Sequence, residues 1–305
     1  MPNSKDKYLI VLAGPTAVGK TELAIKLANK LKTVIISADS RQFFRELNIG
    51  TAKPNEEELA AAKHYFINSH SISEVYSAGD FERDVLTLLE SLFEKHDCII
   101  LTGGSGFYIK AVTDGLDALP QPSPGLREAL TRKLSEQGLE VLQKEIAIID
   151  PVFAASGEFL NPQRVVRALE VFETTGRSIS EFQQKMKNER PFKQILIALD
   201  RERAELYDRI DLRMDLMLQQ GLVDEARQLQ PFRHHHALQT VGYKEVYGFL
   251  DGEYGEKEMV RLLKQNSRRY AKRQLTWFRH QGDFSWFHPH AFREILTCIN
   301  ESMKK

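Results

Sequence analysis

Gly14-Pro15-Thr16-Ala17-Val18-Gly19-Lys20-Thr21 is a complete G-x-x-x-x-G-K-[ST] stretch, and what lies on either side of it decides the fold. The apolar run Tyr8–Ala13 ends just before it. Just after it, Leu23, Leu27 and Leu31 recur every fourth residue, which puts them on one helix face. A strand turning through glycines into a helix is the setting in which this motif binds phosphate. Glycines let backbone N–H groups turn inward around phosphate oxygens, and the helix N-terminus adds a favourable dipole. Lys20 supplies a point charge, and the Thr21 hydroxyl can sit on Mg²⁺. The stretch predicts a cradle for a di- or triphosphate.

Thr33–Ser37 and Cys98–Thr102 also have strand length, with helical patterns between them. Strand–helix alternation predicts a parallel sheet with helices on its faces. Leu119-Pro-Gln-Pro-Ser-Pro-Gly125 is turn-rich and reads as a boundary. From there to about Pro191 only helical patterns occur. One is well signed: Asn161 is a natural N-cap, Pro162 suits the first helical position and Gly176 follows the last turn. Gln194–Leu199 then resumes the strand pattern. The expected fold is α/β, a P-loop nucleoside-triphosphate-hydrolase-like parallel-sheet core over residues 1–119 and 193–305. An all-helical insertion domain at 120–192 interrupts it.

The chain has 305 residues, 42% of them hydrophobic and 28% charged, enough apolar material for a real core. Lys+Arg and Asp+Glu both number 42, so a nucleic-acid partner must be argued from local clustering. Two cysteines, Cys98 and Cys298, exclude a disulfide scaffold and a multi-Cys zinc module. No apolar run approaches the ~20 residues of a membrane span, and the N-terminus Met1–Lys7 is too polar for a signal peptide. The expectation is a cytoplasmic protein.

A Walker-B acid normally ends a second apolar strand. Here Cys98-Ile-Ile-Leu-Thr-Gly-Gly-Ser-Gly106 ends in Thr and glycines. The acid follows the other run instead, in Ile36-Ser37-Ala38-Asp39-Ser40-Arg41-Gln42. At the carboxyl end of a parallel strand, Asp39 faces the crevice where ligands bind. It can ligate metal or act as a base toward a second substrate; the alternative is a helix N-cap at 39–40. In Asp200–Gly221, Leu206, Ile210, Met214 and Met217 form an apolar stripe, and at ~100° per residue Arg213 falls inside it. A bound diphosphate explains such a cation, and so does a snorkelling or salt-bridged Arg.

Val260–Gly282 holds seven Lys/Arg and no acid. If helical, Arg261, Arg268, Lys272 and Arg279 share one line about 27 Å long. Leu263, Tyr270 and Trp277 project nearly opposite, toward a core. A one-sided basic stripe suits a phosphodiester backbone, and the alternative is a solvated face. Arg164 and Arg167 stand off the Val165–Leu169–Phe172 face of the capped helix and add candidate phosphate contacts. His234-His235-His236 lacks ligand spacing and reads as a polar loop. Cys98 reads as strand packing.

Several blocks resemble the bacterial tRNA dimethylallyltransferases (tRNA isopentenyltransferases). They are Gly14–Thr21, Ser37–Gln42, Asn48-Ile-Gly-Thr-Ala-Lys-Pro54, Gly103-Gly-Ser-Gly-Phe-Tyr108, Asn161–Glu170, Val241-Gly-Tyr243 and Ala271-Lys-Arg-Gln-Leu-Thr-Trp-Phe-Arg279. They run in family order from about residue 10 to about 280. The resemblance implies transfer of a dimethylallyl group from dimethylallyl diphosphate to N6 of the adenosine just 3′ of the anticodon, by a Mg²⁺-dependent monomer. It makes the P-loop a diphosphate cradle, which accounts for the missing Walker-B acid. By matching position, Asp39 would take the N6 proton and Thr16 would lie near the breaking C–O bond. Lys20, Thr21 with Mg²⁺, and Arg213 would hold the leaving diphosphate.

The implied contacts with the tRNA anticodon stem-loop are Asp39, Ser40, Arg41, Gln42, Ser105, Arg127, Gln163, Arg164, Val165, Val166, Arg167, Val241, Gly242, Tyr243 and Lys244, with the stripe residues Arg268, Lys272 and Arg279. The family commonly reads Gly-Gly-Thr where this chain has Gly103-Gly104-Ser105; Ser keeps the hydroxyl. The rivals are a small-molecule kinase, a prenyltransferase of free adenine nucleotides, which would not need the basic helix, and a nucleotide-driven RNA-binding switch.

Overall fold

The computed structural model describes residues 6–117, 119–183 and 187–304. Most of the polar N-terminal stretch therefore lies outside the described residues. Among the described residues there are six strands: β1 (Tyr8–Ala13), β2 (Ile35–Ser37), β3 (His64–Tyr65), β4 (Cys98–Gly103), β5 (Lys193–Leu199) and β6 (Ser285–Phe287). They form one parallel sheet in the order β3-β2-β4-β1-β5-β6.

β1 is the central strand. It pairs along its whole length with β4 on one side and β5 on the other, and Ala13 lies level with Gly103 and Ala198. Because helices cover both faces, every residue of β1 is buried, and its side chains alternate between two cores. Tyr8, Ile10 and Leu12 pack with Leu23 and Leu27 of the helix Lys20–Leu31 and with Ile295 and Ile299 of the helix Phe292–Ser302. Leu9, Val11 and Ala13 pack with Phe81, Val85 and Leu89 of the helix Ala78–Phe93, and with Phe278. Each fully buried aliphatic side chain contributes about 1.5–3 kcal/mol. Cys98 sits in this packing, and burial pushes its thiol up to about 11.

The loops after β1, β2 and β4 converge at the carboxyl ends of their strands, where open parallel sheets bind ligands. Gly103 is what lets two of them meet: a Cβ there would overlap the Ala38 backbone.

The chain divides into two compact units, Met1–Thr113 with Arg190–Lys305, and Asp114–Glu189. In the second unit the described elements are all helical, the longest being Leu126–Gln137, Leu139–Ile149 and Pro162–Thr175. Leu130, Leu142, Ile146, Phe153 and Leu169 form its core. The Asn161 side chain accepts from the Gln163 N–H, Pro162 opens that helix, and Gly176 closes it at φ 70°. Among the described residues, no helix is long and apolar enough to cross a membrane.

Candidate active site

The loop after β1 is bent by left-handed backbone at Ala17 (φ 63°) and Gly19 (φ 110°), the kind of turn that points successive N–H groups to one side. No side chain caps the helix that follows, and Gly19, Lys20 and Thr21 line a cavity of about 450 Å³. Lys20 Nζ donates to the Gly14 and Pro15 carbonyls at 2.9 and 2.8 Å. Burial pushes its ammonium down to about 7, with the Asp39 carboxylate pulling the other way.

Two arginines reach this loop from the helix Arg203–Gln219. Leu206, Ile210, Met214 and Met217 are buried there, so Arg213 does lie within an apolar stripe. Its charge is met at the cavity: Nη1 donates to Thr16 Oγ1 at 3.1 Å and Nη2 to the Ala52 carbonyl at 3.4 Å. Burial lowers its pKa, and Asp39 opposes that shift. Arg209, one turn earlier, donates from Nε to the Ala17 carbonyl at 2.8 Å.

Asp39 follows β2 and lines the same cavity. Its Oδ1 accepts the Arg41 N–H at 3.0 Å, and residues 40–43 form turns rather than a helix. The N-cap alternative is thus not realised. Ser105 Oγ accepts the Ser40 N–H at 2.9 Å and donates to Ser40 Oγ at 3.1 Å, tying the end of β4 to the Asp39 loop. Gln42 Nε2 donates to the Thr51 and Ala52 carbonyls, and Arg41 Nη1 to the Ser40 carbonyl. These polar side chains hold the loop that presents Asp39.

The Asn48–Pro54 block is fixed by a residue that sequence reading missed. The Glu225 carboxylate accepts the Asn48, Ile49 and Gly50 N–H groups at 3.0, 2.9 and 3.0 Å, and the Tyr243 hydroxyl at 2.6 Å. A Cβ on Gly50 would lie 2.6 Å from the Tyr243 ring. Gly50→Ala is therefore expected to destabilise the chain by about 1–3 kcal/mol, the usual cost of overpacking. A thermal melt checks this, and an unchanged midpoint would contradict it.

Three of the expected RNA contacts have buried side chains. Val165 and Val166 are fully buried in the helical unit, and Tyr243 is fully buried in a core of the sheet unit, so none offers a side chain to a partner. Their neighbours Gln163, Arg164 and Lys244 are exposed, while Val241 and Gly242 line the cavity. Arg127 and Arg167 converge on the buried Glu170 at 3.4 and 3.1 Å, so part of their charge is already met.

The basic stretch is helical over Glu256–His280, but its line of cations is largely neutralised. Arg261 pairs with Glu258 at 2.6 Å, Arg268 with Asp211 at 2.6 Å and Arg279 with Asp200 at 2.7 Å. Two of these acids come from distant parts of the chain. Arg269, Lys272 and Arg273 are exposed and, among the described residues, have no carboxylate partner. On the other side of this helix, Leu263 is buried and Trp277 packs at the core edge, whereas Tyr270 lines the cavity. Burial pushes the Tyr270 phenol up to about 12. Gln274, which sequence reading left unassigned, accepts the Thr16 N–H at 2.9 Å and donates to the Gly104 carbonyl at 2.9 Å. Its four-residue spacing from Tyr270 was the available signal.

Among the described residues no cluster of three His, Cys, Asp or Glu side chains could cage a metal. Mg²⁺ held mainly by substrate phosphates and water needs no such cage, and Thr21 on the cavity wall fits that mode.

Fold and cavity together define a P-loop α/β enzyme. Residues 42–281 match the family model described as IPP transferase, and the chain belongs to that family. It is a transferase. It is 53% identical to the tRNA dimethylallyltransferase of Cytophaga hutchinsonii over 98% of this chain and 99% of that one. It is 49% identical to that of Christiangramia forsetii over 92% and 93%. Among solved structures, the full-length tRNA isopentenylpyrophosphate transferase of Bacillus halodurans is 36% identical, with a TM-score of 0.73 over 98% of this chain and 97% of that one. A eukaryotic dimethylallyltransferase described as acting on tRNA is 25% identical, with a TM-score of 0.77 over 97% and 77%.

Proposed function

We propose that this chain transfers the dimethylallyl group of dimethylallyl diphosphate to N6 of the adenosine immediately 3′ of the anticodon in tRNA, releasing diphosphate. The observation that carries the reading is that Asp39, Lys20, Thr16 and Arg213 share one cavity. A phosphate nest and the Asp39 carboxylate lining one space suit an alkyl donor held by its diphosphate and a nucleophile that must lose a proton.

Asp39 accepts the N6 proton as the nitrogen lone pair attacks C1 of the dimethylallyl group. The C1–O bond breaks, and its electron pair leaves with the diphosphate. Exocyclic adenine nitrogen is a poor nucleophile because its lone pair is delocalised into the ring, so the proton acceptor matters. An allylic carbon ionises readily, so most of the remaining barrier is charge on the departing group. Lys20, Arg213 and the loop N–H groups meet that charge. Because Arg213 donates to Thr16 Oγ1, the hydroxyl proton of Thr16 is left to point at the breaking C–O bond. Mg²⁺ bound with the diphosphate and Thr21 would add neutralising charge. The acceptor base must leave the anticodon stack to reach Asp39, as base-modifying enzymes generally require. The chain acts on this reading as a cytoplasmic monomer.

The cations of the helix Glu256–His280 that have no carboxylate partner among the described residues are the RNA-facing ones. Lys272→Gln is expected to lower the slope of log K against log salt for tRNA binding by about 0.7–0.9, one phosphate contact. Arg261→Gln, whose charge Glu258 already meets, is expected to leave the slope unchanged. Equal effects in a salt titration would contradict this division. The transfer itself is tested by incubating unmodified tRNA with the protein, Mg²⁺ and dimethylallyl diphosphate. Mass analysis of anticodon-loop nucleosides should show one added dimethylallyl group on that adenosine, and no gain would sink the reading.

A further inference from the structure

Gln274 is 7% exposed and sits between two loops that come from different strands. Its Oε1 accepts the Thr16 N–H at 2.9 Å, and its Nε2 donates to the Gly104 carbonyl at 2.9 Å. The fit is close, since a Cβ at Gly104 would overlap the Gln274 amide nitrogen. Thr16 is thereby held twice, by its backbone from the helix Glu256–His280 and by its hydroxyl from Arg213 on the helix Arg203–Gln219. Ala17, next to it, begins the left-handed bend of the loop.

We infer that Gln274 is a positioning residue for group transfer: its amide clasps Thr16 to Gly104 and so sets where the Thr16 hydroxyl meets the leaving oxygen. This rests on the transfer reading given above. Only a group that accepts on one side and donates on the other can make the clasp. An amide does both at any pH. A carboxylate only accepts, and would set an anion against the Gly104 carbonyl; a protonated carboxyl again does both. The same helix carries Lys272 and Arg273 on its exposed side, so one rigid element meets the RNA and grips the diphosphate loop.

The test compares Gln274→Met and Gln274→Glu with the parent chain, using dimethylallyl diphosphate and unmodified tRNA. For Gln274→Met, kcat is expected to fall about tenfold to a hundredfold, the scale of a small misplacement of a reacting group, with KM for the diphosphate little changed. Gln274→Glu is expected to show the same loss near pH 8. Its rate relative to the parent should recover toward about pH 6, because a buried carboxyl protonates above its ordinary range and regains the donor. Amide hydrogen exchange at Thr16 should accelerate in Gln274→Met, which loses the acceptor for that N–H.

A kcat within about twofold of the parent in Gln274→Met overturns the inference. So does a Gln274→Glu rate ratio that is flat with pH, or a loss that appears only in KM. Should Gln274→Met fail to fold, the pH titration of Gln274→Glu carries the test within a single protein. If the parent itself transfers nothing, the transfer reading fails; Thr16 exchange still decides whether the clasp exists.

Discussion

Asp39→Asn is expected to lower single-turnover transfer by about 10²–10⁴-fold, the range a positioned general base contributes. Asn keeps an oxygen for the Arg41 N–H, so the turn that presents position 39 survives and only the proton acceptor is lost. Affinity for tRNA should stay within about threefold, since the exposed cations Arg269, Lys272 and Arg273 are untouched. Asp39→Ala removes the turn contact as well and should be no more active. A near-normal single-turnover rate in Asp39→Asn would remove the base from the scheme. A loss confined to tRNA binding would make Asp39 a contact instead.

Diphosphate binding near pH 8 is expected to draw close to one proton per ligand from solution. The ammonium of Lys20 titrates at about 7 in the ligand-free chain, because its loop buries it against the carbonyls of Gly14 and Pro15. An anion in the nest favours the charged form and returns the proton. Calorimetry with inorganic diphosphate in two buffers of different ionisation enthalpy measures the uptake. Lys20→Met should abolish it and weaken diphosphate binding by about thirtyfold or more, the loss that follows removal of one buried charge partner. Uptake that persists in that variant would place the proton elsewhere.

The same shift fixes a sign for stability without ligand. Unfolded lysine titrates near 10.4, so from about pH 7 to about 10.4 the unfolded chain binds the extra proton. Stability should therefore rise with pH across that window from this group. Below about 7, both states carry the proton and the dependence vanishes.

The P-loop and the three long strands were legible because each carries its own local signal. Tyr8–Ala13, Cys98–Thr102 and Gln194–Leu199 read as runs of strand length, and the glycine-rich turn announces what β1 feeds into. β3 and β6 were not legible. They have two and three residues, lie at the sheet edges, and show no period that a window could detect. Arg213 was readable as a misfit, a cation inside an apolar stripe. The neutralised cations were not, because Asp211 and Asp200 lie far from Arg268 and Arg279 in sequence and meet them only in the folded chain. Gln274 and Glu225 failed for a related reason: an uncharged amide and one of two adjacent acids on a short helix look ordinary until the loops they hold are seen. Val165, Val166 and Tyr243 show the converse, where a matching motif named positions whose side chains serve the core.

The central place of β1 also shapes how the chain must come together during synthesis. Residues 8–13 emerge long before residues 193–198, which form one of their two neighbours. At about 5–20 residues per second, β1 waits roughly 5–20 s for β4 and as long again, half-paired, for β5. In that interval the side of β1 that will meet β5 is an open edge of apolar residues, the kind that recruits wrong partners. Meanwhile the apolar residues of the helical segment, Leu130 to Ile179, have all been made and share their own core. The order of assembly is thus opposite to the order of sequence: the insertion can close before the strand that carries the phosphate loop is enclosed. Slow, non-local completion of this kind leaves apolar surface open to aggregation while the chain waits.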